Sequence, residues 1–377
     1  MDIGVPREIH RHEHRVGLSP FAVARLAQLG HSVLVESKAG DTARFTDRDY
    51  EKSGAHIVYS AEEVYKRADL VCRVAALTPD DVELLKPDTI VCAFHHLAVT
   101  TREHVERLMA LRTTLVGYEV IRNSLGDLPV LTPFSEMGGQ MAVQLAAYYL
   151  QNESGGRGVL LGNVPGVPPP TVLILGAGTV GQTAARQALG NGAHVIVLDA
   201  DLNKLRSLSR ELDGRAVTVL AGVERLDQYV PIADVIIGAV LIPGGRAPYV
   251  VTEAMVKGMK PGSVVIDVSI DQGGCVETSR PTGLDQPTFV VHDVVHYCVS
   301  NMTANVARTA SRALTTAALP YLVELAGAGL DDAVRRDPGL ADGVYIYRGR
   351  LANQRVGETL GIPAAPIRGP GGGDGRS

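Results

Sequence analysis

The sequence predicts an α/β protein built from two doubly wound domains, one of them discontinuous. Three observations carry this. Residues 171–199 run apolar strand, glycine turn, helix, apolar strand, acid. Short apolar runs alternate with helical stretches on both sides of that segment, the pattern of a mostly parallel sheet. The chain has 377 residues, a length that suits two domains of roughly 100–200 residues each.

The first 130 residues carry the runs "DIGVP", "HSVLVES", "ADLVCRV", "DTIVCAF" and "TTLVGYEV". Amphipathic stretches separate them. "SPFAVARLAQLG" starts at Ser19-Pro20 and stops at Gly30, a helix with recognisable ends. None of these strands is followed by GxGxxG, so this half is expected to hold a substrate rather than a dinucleotide. "SEMGGQMAVQLAAYYLQN" (135–152) reads as a long helix into the next domain.

Residues 171–201, "TVLILGAGTVGQTAARQALGNGAHVIVLDAD", form the most specific motif. Gly176 makes the tight turn, Gly178 lets the backbone approach a pyrophosphate, and Gly181 lets helix and strand pack closely. Amides at the helix start, including those of Thr179 and Val180, hold phosphates. Asp199 accepts from the ribose hydroxyls and repels a 2′-phosphate, so the expected cofactor is NAD rather than NADP. GxGxxG alone is weak, but inside strand–turn–helix–strand–Asp it is strong. "AVTVL" (216–220), "ADVIIGAV" (233–240), "GSVVIDVSI" (262–270) and "TFVVHDVV" (288–295) read as four further strands. Both domains are therefore expected to be Rossmann-like. The expected division is 1–130 with 306–365 for the substrate domain and 131–305 for the NAD-binding domain. The Pro/Gly-rich segment 366–377 reads as a disordered tail.

Bulk properties exclude several classes. A formal net charge of −5 argues against a nucleic-acid binder. The four cysteines, Cys72, Cys92, Cys275 and Cys298, have no CxxC spacing, so neither a metal site nor a disulfide framework is indicated. The first residues, "MDIGVPREIH", are charged where a signal peptide needs an apolar run. No apolar run reaches membrane-spanning length. A cytoplasmic protein with no membrane partner is expected.

Candidate chemistry follows from position. Ligands of open α/β sheets bind beyond the carboxyl ends of strands. "VVIDVSIDQGG" ends there, which turns Asp271 toward the nicotinamide side and leaves Asp267, inside the strand, a structural role. "HRHEHRVGLSP" places Arg15 before a helix start, where a guanidinium suits a carboxylate. "VCAFHHLAV" places His95 and His96 at a strand end, where an imidazole can move protons near neutral pH. For each the plainer reading is a capping carboxylate, a surface arginine and a packed histidine.

These stretches resemble a known family. "GVPREI…RVGLSP", "FHHLA", "YEV", "LTPFSEMGG", "GGRGVLLGNVPGV", "GAGTVG", "IGAVLIPG", "IDQGG…SRPT" and "VHDVVHYCVSNM" run in the order found in alanine dehydrogenase. That family is shared with the N-terminal part of nicotinamide nucleotide transhydrogenase. The resemblance implies an NAD-dependent oxidoreductase acting on a CH–NH2 group, with an amino acid or 2-oxo acid as small-molecule partner and a hexameric assembly. It implies that Arg15 binds the substrate carboxylate, that His96 is the general acid/base, and that Asp271 assists proton transfer. Ser135, Val240, Leu241, Ser300, Asn301 and Met302 would contact the cofactor, and Asp199 its ribose.

One departure stands out. The family's substrate lysine falls on Ala75, with the basic residue Arg73 two positions earlier. Ala76-Leu77 replaces the usual Glu-Pro, and "NMTANVARTAS" lacks the two usual prolines. A lost charge-assisted hydrogen bond costs about 1.5–3 kcal/mol. The departure opens alternatives: an amino-acid dehydrogenase or imine reductase for a non-alanine substrate, or a non-catalytic NAD-binding homologue. A transhydrogenase-like subunit is a further rival.

Overall fold

The computed structural model describes residues 1–242 and 245–367, except for the side chain of residue 224. The tail expected at 366–377 lies outside the described residues from 368 onward. The chain divides into two compact units. The first holds Met1–Phe134 and the chain from Ala304; the second holds Ser135–Ile242 and Arg246–Thr303.

The first unit is built on an eight-stranded sheet. Its strands are β1 (Asp2–Val5), β2 (Ser32–Glu36), β3 (His56–Val58), β4 (Leu70–Cys72), β5 (Ile90–Ala93) and β6 (Thr114–Gly117). The second unit's strands are β7 (Thr171–Leu175), β8 (His194–Asp199), β9 (Val217–Leu220), β10 (Val235–Gly238), β11 (Val264–Asp267), β12 (Thr288–Val291) and β13 (Val294–Tyr297). The chain then returns to the first unit with β14 (Val344–Tyr347) and β15 (Arg350–Leu351).

The first sheet has the order β15-β14-β6-β5-β4-β1-β2-β3. β1 to β6 pair in parallel, while β14 and β15 are antiparallel additions at one edge. The second sheet has the order β12-β13-β11-β10-β7-β8-β9. It is parallel except for the β12–β13 pair. In each sheet the first three strands run outward in one direction and the next ones in the other. That is the doubly wound order, with its switch point beside the first strand. The central strands are buried along their length, as in "VIIG" of β10 and "IVCA" of β5. Helices on both faces of a parallel sheet require such unbroken apolar runs.

The two apolar strands expected within 171–199 are β7 and β8. Ser19 holds the N-cap position of the helix Pro20–Gln28, and Gly30 follows its end with φ +86°. Two expectations are corrected. "TFVVHDVV" is a hairpin and not one strand: His292 and Asp293 both take positive φ, 52° and 60°, the geometry of a tight two-residue turn. "GSVVIDVSI" leaves the strand at Asp267, whose carboxylate accepts from Ser269 N at 3.1 Å and starts a 3-10 turn, Val268–Gln272. Asp271 thus sits in that turn.

Candidate active site

The dinucleotide motif of the second unit is shaped as its glycines require. Gly176 has φ +111°, and a Cβ there would stand 2.4 Å from Ala239 O, so the end of β10 presses on the turn at the switch point. A Cβ on Gly181 would stand 1.8 Å from Gly176 O. Gly178, the N-cap of the helix Thr179–Gly190, has open space where its Cβ would point. A backbone left bare at a helix start is where a pyrophosphate can approach the amides of Thr179 and Val180. Asp199 closes the motif at the end of β8. Its Oδ2 accepts from Ala177 N at 2.7 Å and its Oδ1 from Asp201 N at 2.7 Å. The carboxylate is thereby aimed, half-buried, with lone pairs left for hydroxyl donors. These residues fit a dinucleotide.

The remaining candidates of this unit gather at the same strand ends. Val240 N donates to Ser269 Oγ at 2.9 Å, which ties the end of β10 to the 3-10 turn; Leu241 follows, exposed. Asp271 Oδ1 accepts from Asn301 N at 2.8 Å, and Asn301 takes φ 53°. Ser300 is half-buried and Met302 buried. The helix Thr132–Tyr149 carries Ser135. It reaches this cluster through Gly138, whose Cβ would lie 3.4 Å from Val268 and 3.9 Å from Met302 Sδ. Gly139 lets the same helix lie against Val180 and Thr183. Asp267, by contrast, is buried. It accepts from Cys275 N and Val276 N at 3.0 and 3.2 Å, and burial raises its pKa.

In the first unit, Ala75 and His96 follow the ends of β4 and β5, and Arg15 precedes the helix Pro20–Gln28. Arg15 is buried and held bidentately by Glu13, with Nε to Oε1 at 2.7 Å and Nη2 to Oε2 at 2.5 Å. Burial pushes the Glu13 carboxyl up, but the guanidinium outweighs it and holds the pKa below its usual value. The Arg15 guanidinium lies 5.6 Å from the Phe134 ring centroid. Phe134 packs edge-on against Phe94 at 4.9 Å, and Phe94 stacks on His96 at 6.2 Å. One aromatic cluster therefore joins the guanidinium to the imidazole. Gly17, just after Arg15, lies on the Cys72–Arg73 backbone, and Phe94 N donates to Val74 O at 3.0 Å beside Ala75.

The two histidines differ. His95 is buried, and burial lowers its pKa to about 4 against the smaller opposing pull of Glu119. It stays neutral, with Nε2 at 3.2 Å from Val91 O. His96 is half-buried in the left-handed region, φ 48° and ψ 40°. Its Nδ1 is buried and finds no hydrogen-bond partner among the described residues.

Arg73 is wholly buried. It pairs with Asp81 at 2.5 Å and Glu8 at 3.0 Å, and donates to Tyr65 Oη at 2.8 Å. Its charge is committed to this network and does not stand in for a lysine at Ala75. The sequence reading missed Glu13, Glu119 and Ser269. Only the Glu-x-Arg spacing of 13–15 gave a signal for the first.

Family models match nearly the whole chain. Residues 4–138 match the N-terminal domain of alanine dehydrogenase/PNT, and residues 142–354 its C-terminal domain. Alanine dehydrogenase of Mycobacterium tuberculosis is 44% identical over 363 residues, covering 96% of this chain and 98% of that protein. Alanine dehydrogenase of Halomonas elongata is 42% identical, covering 96% and 97%. A solved structure of L-alanine dehydrogenase superposes with TM-score 0.88 at 42% identity, covering 96% of this chain and 99% of that one. A transhydrogenase from Sinorhizobium meliloti shares the fold, with TM-score 0.77 at 24% identity. No helix among the described residues is long and apolar enough to cross a membrane. The chain belongs to the alanine dehydrogenase/PNT family, and it is an oxidoreductase of that family's amino-acid dehydrogenase branch.

Proposed function

We propose that the protein interconverts L-alanine with pyruvate and ammonia, using NAD as cofactor. NAD supplies the hydride acceptor or donor. The observation that carries the reading is the bare amide turn at Gly178, closed by the aimed carboxylate of Asp199, within a chain similar to alanine dehydrogenases over 96% of its length.

The proposed division of labour follows the geometry within each unit. Segments 1–130 and 306–365 take the substrate, and 131–305 takes the dinucleotide. Arg15, already oriented by Glu13, binds the substrate carboxylate. A guanidinium fixed in this way loses little side-chain entropy when it binds an anion. His96 moves a proton between its ring nitrogen and the substrate oxygen or nitrogen. Its unpartnered Nδ1 and its place on the Phe94 ring support that role. Asp271 orients ammonia or water and shares the proton transfers. Ser135, Val240, Leu241 and Ser300–Met302 line the dinucleotide. Ala75 occupies the family's lysine position without a charge, so anchoring falls on Arg15. The assembly we propose is a cytoplasmic homo-hexamer, as the resemblance implies.

The test is steady-state turnover with NAD and L-alanine, and with NADH, ammonia and a panel of 2-oxo acids. Pyruvate is expected to lead the panel. General acid–base catalysis contributes roughly 10²–10⁴-fold, so His96→Asn is expected to lower kcat by that order while NADH still binds. Turnover of no 2-oxo acid, or undiminished turnover in His96→Asn, refutes the proposal.

A further inference from the structure

His96 does not hold its own conformation. A non-glycine residue in the left-handed region costs of order 1–3 kcal/mol and persists only where its surroundings enforce it. The enforcing contact is a buried carboxylate. His96 N donates to Glu119 Oε1 at 2.7 Å, and Glu119 is 1% exposed. Its other oxygen, Oε2, is buried and finds no partner among the described residues. The same Oε1 accepts from Tyr345 Oη at 3.0 Å.

Tyr345 comes from β14, the strand added to this sheet when the chain returns to the first unit. Its ring is buried and lies against Gly117. A Cβ on Gly117 would stand 2.2 Å from Tyr345 Cε2, so only glycine at the end of β6 admits the ring. The ring edge also meets His95 at 6.3 Å. Residues 117, 119 and 345 thus form one device: the glycine seats the tyrosine, the tyrosine fixes the carboxylate, and the carboxylate fixes the histidine backbone.

We propose that Glu119 and Tyr345 are positioning residues for His96, and that β14 is required for the reaction because it delivers the Tyr345 hydroxyl. The inference rests on the reading of His96 as the proton-transfer residue. It predicts that turnover depends on a strand more than 200 residues downstream in sequence, since Glu119 and Tyr345 are 226 residues apart.

The experiment compares Glu119→Ala, Glu119→Gln, Tyr345→Phe and His96→Asn in the full chain. The readouts are kcat, KM for each substrate and NADH affinity. A misplaced catalytic group costs up to roughly 100-fold, so Glu119→Ala is expected to lose on the order of 10- to 100-fold in kcat. NADH affinity should stay within about twofold. Glu119→Gln keeps an oxygen to accept both donors, so it should recover most of that loss. Tyr345→Phe keeps the ring on Gly117 and should lose about three- to tenfold. If Glu119→Ala fails to fold, Glu119→Gln and Tyr345→Phe carry the test. Values of kcat and KM within about twofold of the natural protein in every folded Glu119 and Tyr345 variant, with His96→Asn inactive, overturn the inference alone. An active His96→Asn overturns the reading beneath it as well.

Discussion

Gly178 and Gly181 sit three residues apart in one turn, and the structure assigns them opposite sensitivities to a single methyl group. At Gly178 the backbone is extended, φ −76° and ψ −171°, and an added Cβ meets nothing within 4 Å. Alanine is a poorer N-cap than glycine, by roughly 0.5–1 kcal/mol. It also stiffens the unfolded chain, which favours folding by about 0.4–1 kcal/mol. These nearly cancel, so Gly178→Ala should shift Tm by no more than about 3 °C. The methyl would nevertheless fill the approach to the helix amides, and NADH affinity should fall by roughly 10- to 100-fold, or about 1.4–2.8 kcal/mol. At Gly181 the added Cβ would stand 1.8 Å from Gly176 O. That carbonyl cannot retreat easily, because Gly176 N is bonded to Leu198 O at 2.7 Å and its own Cβ side faces Ala239 O at 2.4 Å. Overpacking of this kind costs about 3 kcal/mol or more, and Gly181→Ala should lose Tm by many degrees. Fluorescence titration with NADH and thermal unfolding read both quantities. Native NADH affinity in Gly178→Ala, or an unchanged Tm in Gly181→Ala, refutes the reasoning.

Two other perturbations test the first unit. Arg73→Leu leaves Glu8 and Asp81 buried without their cation, and should cost about 3–5 kcal/mol in urea unfolding; a loss under 1 kcal/mol would show that the network is not held by charge. His95 is buried with its pKa lowered to about 4 from 6.5. Its folded value is depressed, so the unfolded chain takes up the proton first. The stability from keeping it neutral is complete above pH 6.5 and is lost as pH falls toward 4, by up to about 3 kcal/mol. Urea unfolding across that window should show the loss, and His95→Gln should flatten it.

The sequence exposed the parts of this fold that follow from local chemistry. β7 and β8 could be read because a glycine turn, a helix and an acid bracket two apolar runs. The β12–β13 hairpin could not, because its turn is His292-Asp293 rather than a glycine pair, and "TFVVHDVV" keeps an unbroken apolar character around it. β14 lay hidden for another reason. Its burial and its place beside β6 depend on pairing with a strand far away in the chain, and no local pattern records that. The site divides in the same way. Arg15 was legible from its place before a helix start and His96 from its place at a strand end. Glu13, Glu119 and Tyr345, which hold them, were not, because a buried carboxylate reads as an ordinary charged residue until its donors are known.

Asp267 and Asp271 show how such a distinction can be tested where residue type gives no guidance. They lie four positions apart in "VVIDVSIDQGG", and both end up near the carboxyl end of β11. Asp267 is 2% exposed and spends both oxygens on backbone amides, those of Ser269, Cys275 and Val276. An asparagine there must turn an NH2 group toward amide donors, leaving a buried group unsatisfied at about 1–3 kcal/mol. Asp271 is half-exposed, and of its two oxygens Oδ1 accepts from Asn301 N. An asparagine there can present its carbonyl oxygen to the same amide, so the turn survives while the charge is lost. Asp267→Asn should therefore lower Tm by several degrees. Asp271→Asn should leave Tm nearly unchanged and lower kcat by at least about tenfold. The reverse outcome, a stable and slow Asp267→Asn beside an unstable Asp271→Asn, would mean that the buried acid serves the chemistry and the half-exposed one the fold.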